Sequence, residues 1–517
     1  MGNIHREVCP SRRMSLFWRE CRAVKVISRH HPRSPHFTKF FKNVFIIVSV
    51  CEIVFQIIHK KEAVNMENQK DMTFREVMDY VEELKAYGSV PGLTNIKNLC
   101  DKLGNPQTEL QFVHIAGTNG KGSTLAFISE ILKAAGYRTG RYISPTLFEY
   151  RERIQVNNRP ISKKELCRQM TILKGICGEL AEEGKPHPTA FEIETAMAFQ
   201  YFKEQNCQIV VLETGLGGLL DATNVISNTL AAVFASISLD HMGILGKTLM
   251  EIAENKAGIM KPESAAVALK GELEVNEVLQ KRAESLDIPF VMADPSDVSG
   301  VKRSLGKQTF SYKEYKNLTI TLAGTYQIEN AILAVETVRT LAGAGFTIPE
   351  KAVYKGLENT FWPGRFQILS KKPYFIADGA HNRDGARRLA ETIRFYFTNR
   401  EIIYIIGMLR DKEQDEILKA TCPLASSVLT VPTKGERGLS SYDLACKARE
   451  YHAHVTAADS VEEAVEMAYL FADKDAVIVA FGSLSYLGKL IQIVEKINAG
   501  KGRNDIGRDS HGKQREN

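Results

Sequence analysis

A glycine-rich turn between a buried strand and a helix limits what this chain can fold into. The apolar run Leu110-Gln111-Phe112-Val113-His114 leads into Ile115-Ala116-Gly117-Thr118-Asn119-Gly120-Lys121-Gly122-Ser123-Thr124, and Leu125 to Ala135 continues with helical spacing. Such a turn lets backbone N–H groups converge on an anion without Cβ obstruction, and the helix N-terminus adds partial positive charge. Gly117, Thr118, Asn119, Gly120, Lys121, Gly122, Ser123 and Thr124 therefore read as a phosphate cradle. Lys121 would meet the outer phosphates as a point charge, while the Ser123 and Thr124 hydroxyls lie where a magnesium ligand or phosphate donor is needed. The loop is a variant: only two residues separate Gly117 from Gly120, and Gly122 stands directly after the lysine.

A chain of 517 residues exceeds the size at which one core keeps growing, which predicts two domains with additions. The net charge of +6 is concentrated at one end. Residues 1–43 hold ten Lys/Arg against two acids, leaving about −2 for the rest, so overall charge gives no argument for nucleic acid. Nine cysteines, scattered and without a CxxC pair, read as reduced thiols of a cytoplasmic protein. Residues 1–65 differ from the rest of the chain: a basic segment leads into the apolar stretch 44–58, which Glu52 and Gln56 interrupt and which falls short of the roughly 20 residues of a membrane helix. The expectation is an extension outside the mature fold, arising from an over-long start, with a weak anchor or targeting segment as alternatives.

From Thr73 the pattern becomes regular. Thr73 to Lys85 has a helical period, Pro91-Gly92-Leu93 breaks the chain, and Ile96 to Leu103 is helical again. Beyond the phosphate loop, strands are predicted at 138–144, 208–213 and 230–238, and helices at 163–183 and 191–205. This alternation predicts an α/β fold: a parallel-sheet, mononucleotide-binding domain whose ligands lie at the carboxyl ends of the strands. Residues 305–321 read as short antiparallel strands, and Gln327 to Ala342 as a helix. A second, smaller Rossmann-like set of strands then runs through 374–377, 402–406, 428–431 and 477–480. The predicted domains are 66–361 and 362–498, with a disordered tail at 499–517.

Ser144, Glu213, Asp240 and His241 fall at or near predicted strand ends. A carboxylate at Glu213, beside a phosphate loop, suits a magnesium ligand; a capping or ion-paired acid is the plain alternative. His241 taken alone would read as a satisfied loop histidine, a reading that its position at a strand end modestly reverses, and Lys256, from spacing alone, reads as a solvated helix lysine. Asp378-Gly379-Ala380-His381-Asn382 again comes directly after a strand and could hold a ribose, a base or a second substrate, or simply turn the chain.

Seven motifs in order carry a resemblance: Gly117 to Ser123; Ser144-Pro145 with Glu152-Arg153-Ile154 after it; Glu213-Thr214-Gly215-Leu216-Gly217-Gly218; Asp240-His241; Lys256-Ala257-Gly258; Trp362-Pro363-Gly364-Arg365; and Asp378 to Asn382. Over residues 72–490 the chain resembles the folylpolyglutamate synthases of the Mur ligase superfamily. The resemblance implies an ATP-dependent amide ligase that phosphorylates a substrate carboxylate and lets the amine of L-glutamate displace the phosphate. It further implies two magnesium ions, one on Ser144 and Glu213 and the other served by His241, with a monovalent cation as a further candidate. It implies that Lys256 is carbamylated into a carboxylate-like ligand, against the reading from spacing. Asn330, Arg365 and Asp378 match nucleotide-binding positions, and His381 is placed against the nucleotide or acyl phosphate. Lys121, His241, Lys256, Asp378 and His381 are thus the expected catalytic set.

Leu220-Asp221-Ala222 resembles the form found in members that also make dihydrofolate, so the substrates implied are dihydropteroate as well as folate. Gly92, Leu93 and Thr189 are expected to complete that side of the site. Three residues depart from the family pattern: Leu219 replaces an arginine, Tyr326 a histidine and Arg383 a proline. A ligase acting on a UDP-linked cell-wall precursor would need a UDP-binding domain ahead of the loop, and the residues from Met66 to Gly117 are too few. A non-catalytic nucleotide-dependent module would need no Glu213, His241 and Lys256 set. The expected protein is a cytoplasmic monomer.

Overall fold

Phe112–Ala116 is a five-residue strand with every residue buried, and it lies near the middle of an eight-stranded sheet. The computed structural model describes residues 70–88 and 91–511, with side chains described through residue 499. The extension 1–65, its stretch 44–58, Cys9, Cys21 and Cys51 lie outside the described residues, as do residues 512–517.

The first sheet contains β1 (Phe112–Ala116), β2 (Thr139–Tyr142), β3 (Ile154–Val156), β4 (Arg159–Pro160), β5 (Ile209–Glu213), β6 (Thr229–Phe234), β7 (Ala265–Leu269) and β8 (Phe290–Ala293), in the order β4-β3-β2-β5-β1-β6-β7-β8. Strands β2, β5, β1, β6, β7 and β8 are parallel, and β3 and β4 add an antiparallel edge. From β1 the chain crosses to β2 on the β5 side, and from β5 it crosses to β6 on the other side of β1, so a crevice opens at the carboxyl end of β1, where the phosphate loop begins. Apolar residues fill both faces, as a doubly covered parallel sheet requires.

An antiparallel sheet of β9 (Val298–Ser304), β10 (Lys307–Tyr312) and β11 (Tyr315–Ile320) comes next. Helices Gln327–Leu341 and Glu350–Asn359 then lead to the last sheet. It contains β12 (Gln367–Lys371), β13 (Tyr374–Ala377), β14 (Ile402–Ile406), β15 (Ser427–Thr430), β16 (Val455–Ala457) and β17 (Val477–Phe481), in the order β12-β13-β17-β14-β15-β16. All neighbours there are parallel except β12 with β13.

Two expectations need correction. The strand predicted over 230–238 stops at Phe234. Asp240 and His241 therefore lie beyond the strand on an irregular loop, with His241 at φ 53. The final helix, Leu484–His511, runs past residue 499, where the sequence suggests a disordered tail. Its buried residues Leu487, Leu490, Ile491 and Val494 anchor the first turns against the last sheet. Among the described residues no helix is long and apolar enough to cross a membrane, and none of the six described cysteines is in a disulfide.

Candidate active site

The phosphate loop takes its shape from two close approaches. Gly120 sits at φ 86, and a Cβ there would run into Asn330 Oδ1. At Gly117 a Cβ would lie 2.9 Å from the Ala235 side chain. Thr118 N–H donates to Ser236 O at 2.7 Å, and the Thr118 hydroxyl donates to Ser238 O at 2.9 Å, tying the loop to the residues after β6. Helix Lys121–Ala134 has no side-chain cap, so its first-turn N–H groups remain available to an anion.

Lys121 is half-buried beneath this loop and donates to Gly117 O at 3.0 Å and Thr118 O at 3.3 Å. Burial lowers its pKa, and the Glu213 carboxylate opposes that shift. Glu213, the last residue of β5, is itself buried, which raises its pKa; Lys121 and the Ser144 N–H, 3.4 Å from Oε2, pull it back. The strand ends thus bring Ser144 and Glu213 together beside the loop.

Lys256 is not solvated. It lies on helix Leu249–Ala257, only 3 % exposed, and its Nζ donates to Gly117 O at 3.0 Å. Burial and then Lys121 push its pKa down to about 7. The spacing misled because a short capped helix at a loop junction can turn a charged position inward. His241, with its pKa lowered by burial and Lys412, lies on the same cleft. Among the described residues no three His, Cys, Asp or Glu side chains form a metal cluster; Ser144, Glu213, His241 and Lys256 line one cleft as a mixed donor set.

Two cavities meet at the loop. The first is a crevice of about 50 Å³ bounded by Gly120, Ser123, Asn330, Arg365 and Asp378. Thr124 is fully buried one position further along, and its hydroxyl has no partner. Asp378 lies just past β13 and accepts from Ala380 N at 2.8 Å, Phe366 N at 2.8 Å and the Tyr326 hydroxyl at 3.1 Å. The second cavity is a cleft of about 650 Å³ that includes Lys121, Glu213, His241, Lys256 and His381. Arg365 lines both cavities. His381 shares a hydrogen bond with Gly379 O through Nδ1 at 2.7 Å, and burial pushes its pKa down to about 4.

The expected substrate residues divide. Gly92, Leu220, Asp221 and Ala222 line the cleft, and Gly92 N–H donates to Leu220 O at 3.3 Å. Leu93 does not line it and instead packs against the core. Thr189 reaches the wall, but its hydroxyl donates to Glu192 Oε2 at 2.8 Å within the capping box of helix Ala190–Glu204.

A bridge between the two sheets lies outside the sequence expectations. The Asn119 and Asn382 side-chain amides exchange hydrogen bonds at 3.2 and 3.1 Å, and Asn382 also donates to Asp240 Oδ2 at 2.9 Å. Lys412, only 8 % exposed, bonds Asp240 Oδ1 at 3.1 Å, and its Nζ is 3.5 Å from His241 Nε2. Lys412 comes after β14 on a loop at the carboxyl end of the last sheet, the one positional signal that could have singled it out.

Comparison with known proteins agrees with this arrangement. The Mur ligase middle domain family matches residues 115–338, and the Mur ligase glutamate ligase domain family matches residues 364–484. The dihydrofolate synthase/folylpolyglutamate synthase of Bacillus subtilis is 36 % identical over 363 residues, covering 69 % of this chain and 84 % of its own length. The Mycobacterium tuberculosis folylpolyglutamate synthase complexed with ADP and AMPPCP superimposes with a TM-score of 0.75 at 31 % identity, covering 81 % of this chain and 99 % of that one. E. coli FolC in complex with DHPP and ADP gives 0.71 at 28 % identity, over 82 % and 98 % of the two chains. With both halves of its cleft matched in order, the chain belongs to the dihydrofolate synthase/folylpolyglutamate synthase family of Mur ligases.

Proposed function

We propose that this chain is an ATP-dependent ligase that joins the amine of L-glutamate to the carboxylate of folates and of dihydropteroate. The observation that carries this reading is the junction at the phosphate loop: a half-buried lysine bonded to the loop carbonyls, a narrow crevice on one side, a roomy cleft on the other and Arg365 on the wall of both. A cleft of about 650 Å³ is in the range that holds a drug-sized organic ligand. Its relatives support the choice of ligands, since the solved homologues are complexed with ADP and AMPPCP or with DHPP and ADP.

In this reading ATP binds across the mouth of the crevice, with Asn330 and Asp378 against it, Ser123 at the phosphates with Thr124 buried directly behind, and Arg365 and Lys121 directed to the transferring phosphoryl. A carboxylate oxygen of the organic substrate bonds to the terminal phosphorus as ADP leaves. The glutamate nitrogen then bonds to the acyl carbon and gives up its proton, and the carbon–oxygen bond breaks to release phosphate. Lys121 holds the phosphoryl oxygens in line, which is a positioning contribution as well as an electrostatic one. His381, held neutral by burial, lies on the cleft side of Asp378 and faces the acyl group.

The residues present suit magnesium. Glu213 is a buried carboxylate without an ion pair at contact distance among the described residues, the kind of group a divalent cation satisfies, and Ser144 stands beside it. Ser144 and Glu213 would hold one ion, and His241 and Lys256 would serve a second. Bound there, such ions would neutralise charge on the transferring phosphoryl. Lys256 is the candidate for carbamylation: burial favours its free amine, the form whose nitrogen bonds to carbon dioxide and then loses a proton. A monovalent cation completes the candidate set. The reading includes two functional domains, 66–361 and 362–498, acting in a cytoplasmic monomer.

The test is phosphate release from ATP by residues 66–517 with magnesium and L-glutamate, offered dihydropteroate or tetrahydrofolate, each acceptor omitted in turn. Release with both, coupled to a mass gain of one glutamyl unit, is expected. Release with tetrahydrofolate alone removes the dihydrofolate synthase activity, and release with neither removes the ligase.

A further inference from the structure

We propose that His114 is a positioning residue for the organic substrate and acts through the Thr223 hydroxyl to hold the Asp221 carboxylate at the cleft wall. The inference rests on the ligase reading and adds a residue outside the cleft to it. His114 lies on β1, three positions before Gly117, and is fully buried. Its Nε2 is 2.8 Å from Thr223 Oγ1, and Thr223 Oγ1 is 2.5 Å from Asp221 Oδ1.

The direction of these bonds is set by the chemistry. Burial raises the Asp221 pKa and the donors from Leu216 and Thr223 oppose that shift; with those groups aimed at it the carboxyl is the acceptor, so the Thr223 hydroxyl donates to it and accepts in turn from His114 Nε2–H. Burial, with a smaller push from Lys261, lowers the His114 pKa to about 3, so the ring is the neutral donor in this chain. The remaining nitrogen, Nδ1, is buried without a hydrogen-bond partner among the described residues. A buried strand position is ordinarily filled by Val, Ile or Leu, and a histidine with an unpaired acceptor is unfavourable there. Stability alone gives no reason for it.

Asp221 receives the benefit. It also accepts from Thr223 N at 3.0 Å and from Leu216 N at 2.7 Å, so its carboxylate has one orientation and lines the cleft. A fixed acceptor suits a heterocycle with neighbouring N–H donors. The surrounding loop has separate supports. Asn224 Nδ2 donates to Leu219 O at 3.0 Å and to Gly258 O at 3.1 Å, and Leu220 O accepts from Gly92 N–H. Breaking the chain of hydrogen bonds at Thr223 should therefore loosen the carboxylate without dismantling the loop.

The experiment compares full-length wild type with Thr223→Val, Thr223→Ser, His114→Leu and His114→Gln, measuring KM for dihydropteroate, KM for ATP and kcat. Thr223→Val keeps the shape and removes the hydroxyl, and His114→Leu removes the donor one link further away. Each is expected to raise KM for dihydropteroate about tenfold, the scale of a lost hydrogen bond to a charged group, with KM for ATP and kcat nearly unchanged. Thr223→Ser, which restores the hydroxyl, and His114→Gln, which restores an N–H donor, are expected to recover most of it. An unchanged KM for dihydropteroate in both broken variants overturns the proposal, as does an equal rise for both substrates. If one broken variant does not fold, the other decides. A wild type active only with tetrahydrofolate moves the same comparison to that substrate's KM, and a wild type inactive with either acceptor overturns the ligase reading itself.

Discussion

The crevice and the cleft open from the same loop and are built in opposite ways. Across the crevice, groups from the two sheets are bonded to each other directly: Tyr326 to Asp378, Glu329 to Arg388 at 2.7 Å, and Asn119 to Asp384 at 3.0 Å. The cleft has a softer rim, where Leu220 and Ile244 remain 48 % and 59 % exposed. A tightly cross-bonded wall suits a ligand with one fixed shape, and an apolar rim on loops suits a larger ligand whose tail varies. The expected division is that nucleotide affinity resides in a few directional bonds and organic-substrate affinity in dispersed contacts.

Lys121 belongs to both cavities' chemistry, so its loss tests what they share. Lys121→Ala should abolish ligation with dihydropteroate and tetrahydrofolate alike, by about a thousandfold or more, because both reactions use the same phosphoryl transfer. The check is phosphate release with each acceptor. Turnover lost with one acceptor and kept with the other would break the idea of a common step.

Lys256→Ala should come next, lowering activity by about a hundredfold or more, with partial recovery on adding small carboxylates that supply the missing ligand. The pH dependence has a definite sign. The free amine that takes up carbon dioxide grows as pH rises through about 7, so activation by bicarbonate should appear above that pH and fade below it. Bicarbonate-independent activity at every pH would remove the carbamate while leaving the buried lysine in place.

Asp240→Asn tests the bridge that joins the two halves of the cleft. Burial alone would raise the Asp240 pKa, but Lys412, Asn382 and His241 outweigh it and lower the pKa to about 2. The stability this contributes is present above the ordinary carboxylate pKa and is lost as pH falls toward about 2. Replacing the carboxylate leaves a buried ammonium at Lys412, so we expect about 1–3 kcal/mol of destabilisation near neutral pH, read as a lower urea midpoint. An unchanged midpoint would mean that the bridge contributes nothing net.

These differences also explain what could be read without coordinates. Strands β1, β5, β14 and β17 are apolar runs apart from His114 in β1 and Glu213 at the end of β5, and the carboxyl ends of β1 and β5 disclose the start of the phosphate loop at Gly117 and the carboxylate of Glu213. Strand β7, Ala265–Leu269, is alanine-rich, and β12 is a partly exposed antiparallel edge, so neither has a strong pattern. Lys256 and Lys412 illustrate the limit for side chains. Both are buried lysines, and only the tertiary fold reveals that one meets Gly117 O and the other Asp240. Conversely, Thr189 and Leu93 lie in the right region of sequence, yet one hydroxyl is committed to a helix cap and the other side chain to the core.

The smallest effect should come from Tyr326→Phe, and it separates the cavities most cleanly. The phenol lies against the backbone of Gly324 and donates to Asp378 Oδ2, while Phe366 N and Ala380 N hold the same carboxylate. Removing the hydroxyl leaves ring packing and two of the three named donors intact, so Asp378 should stay in place and lose only part of its rigidity. One such bond corresponds to about 1 kcal/mol, or roughly a fivefold rise in KM for ATP. KM for dihydropteroate should be unchanged, because the ring lines the crevice and not the cleft. Tyr326→His, which keeps a donor, should fall between wild type and Phe. A rise in both KM values would mean that Asp378 couples the two cavities, and the contrast between a rigid nucleotide wall and an independent substrate rim would have to be abandoned.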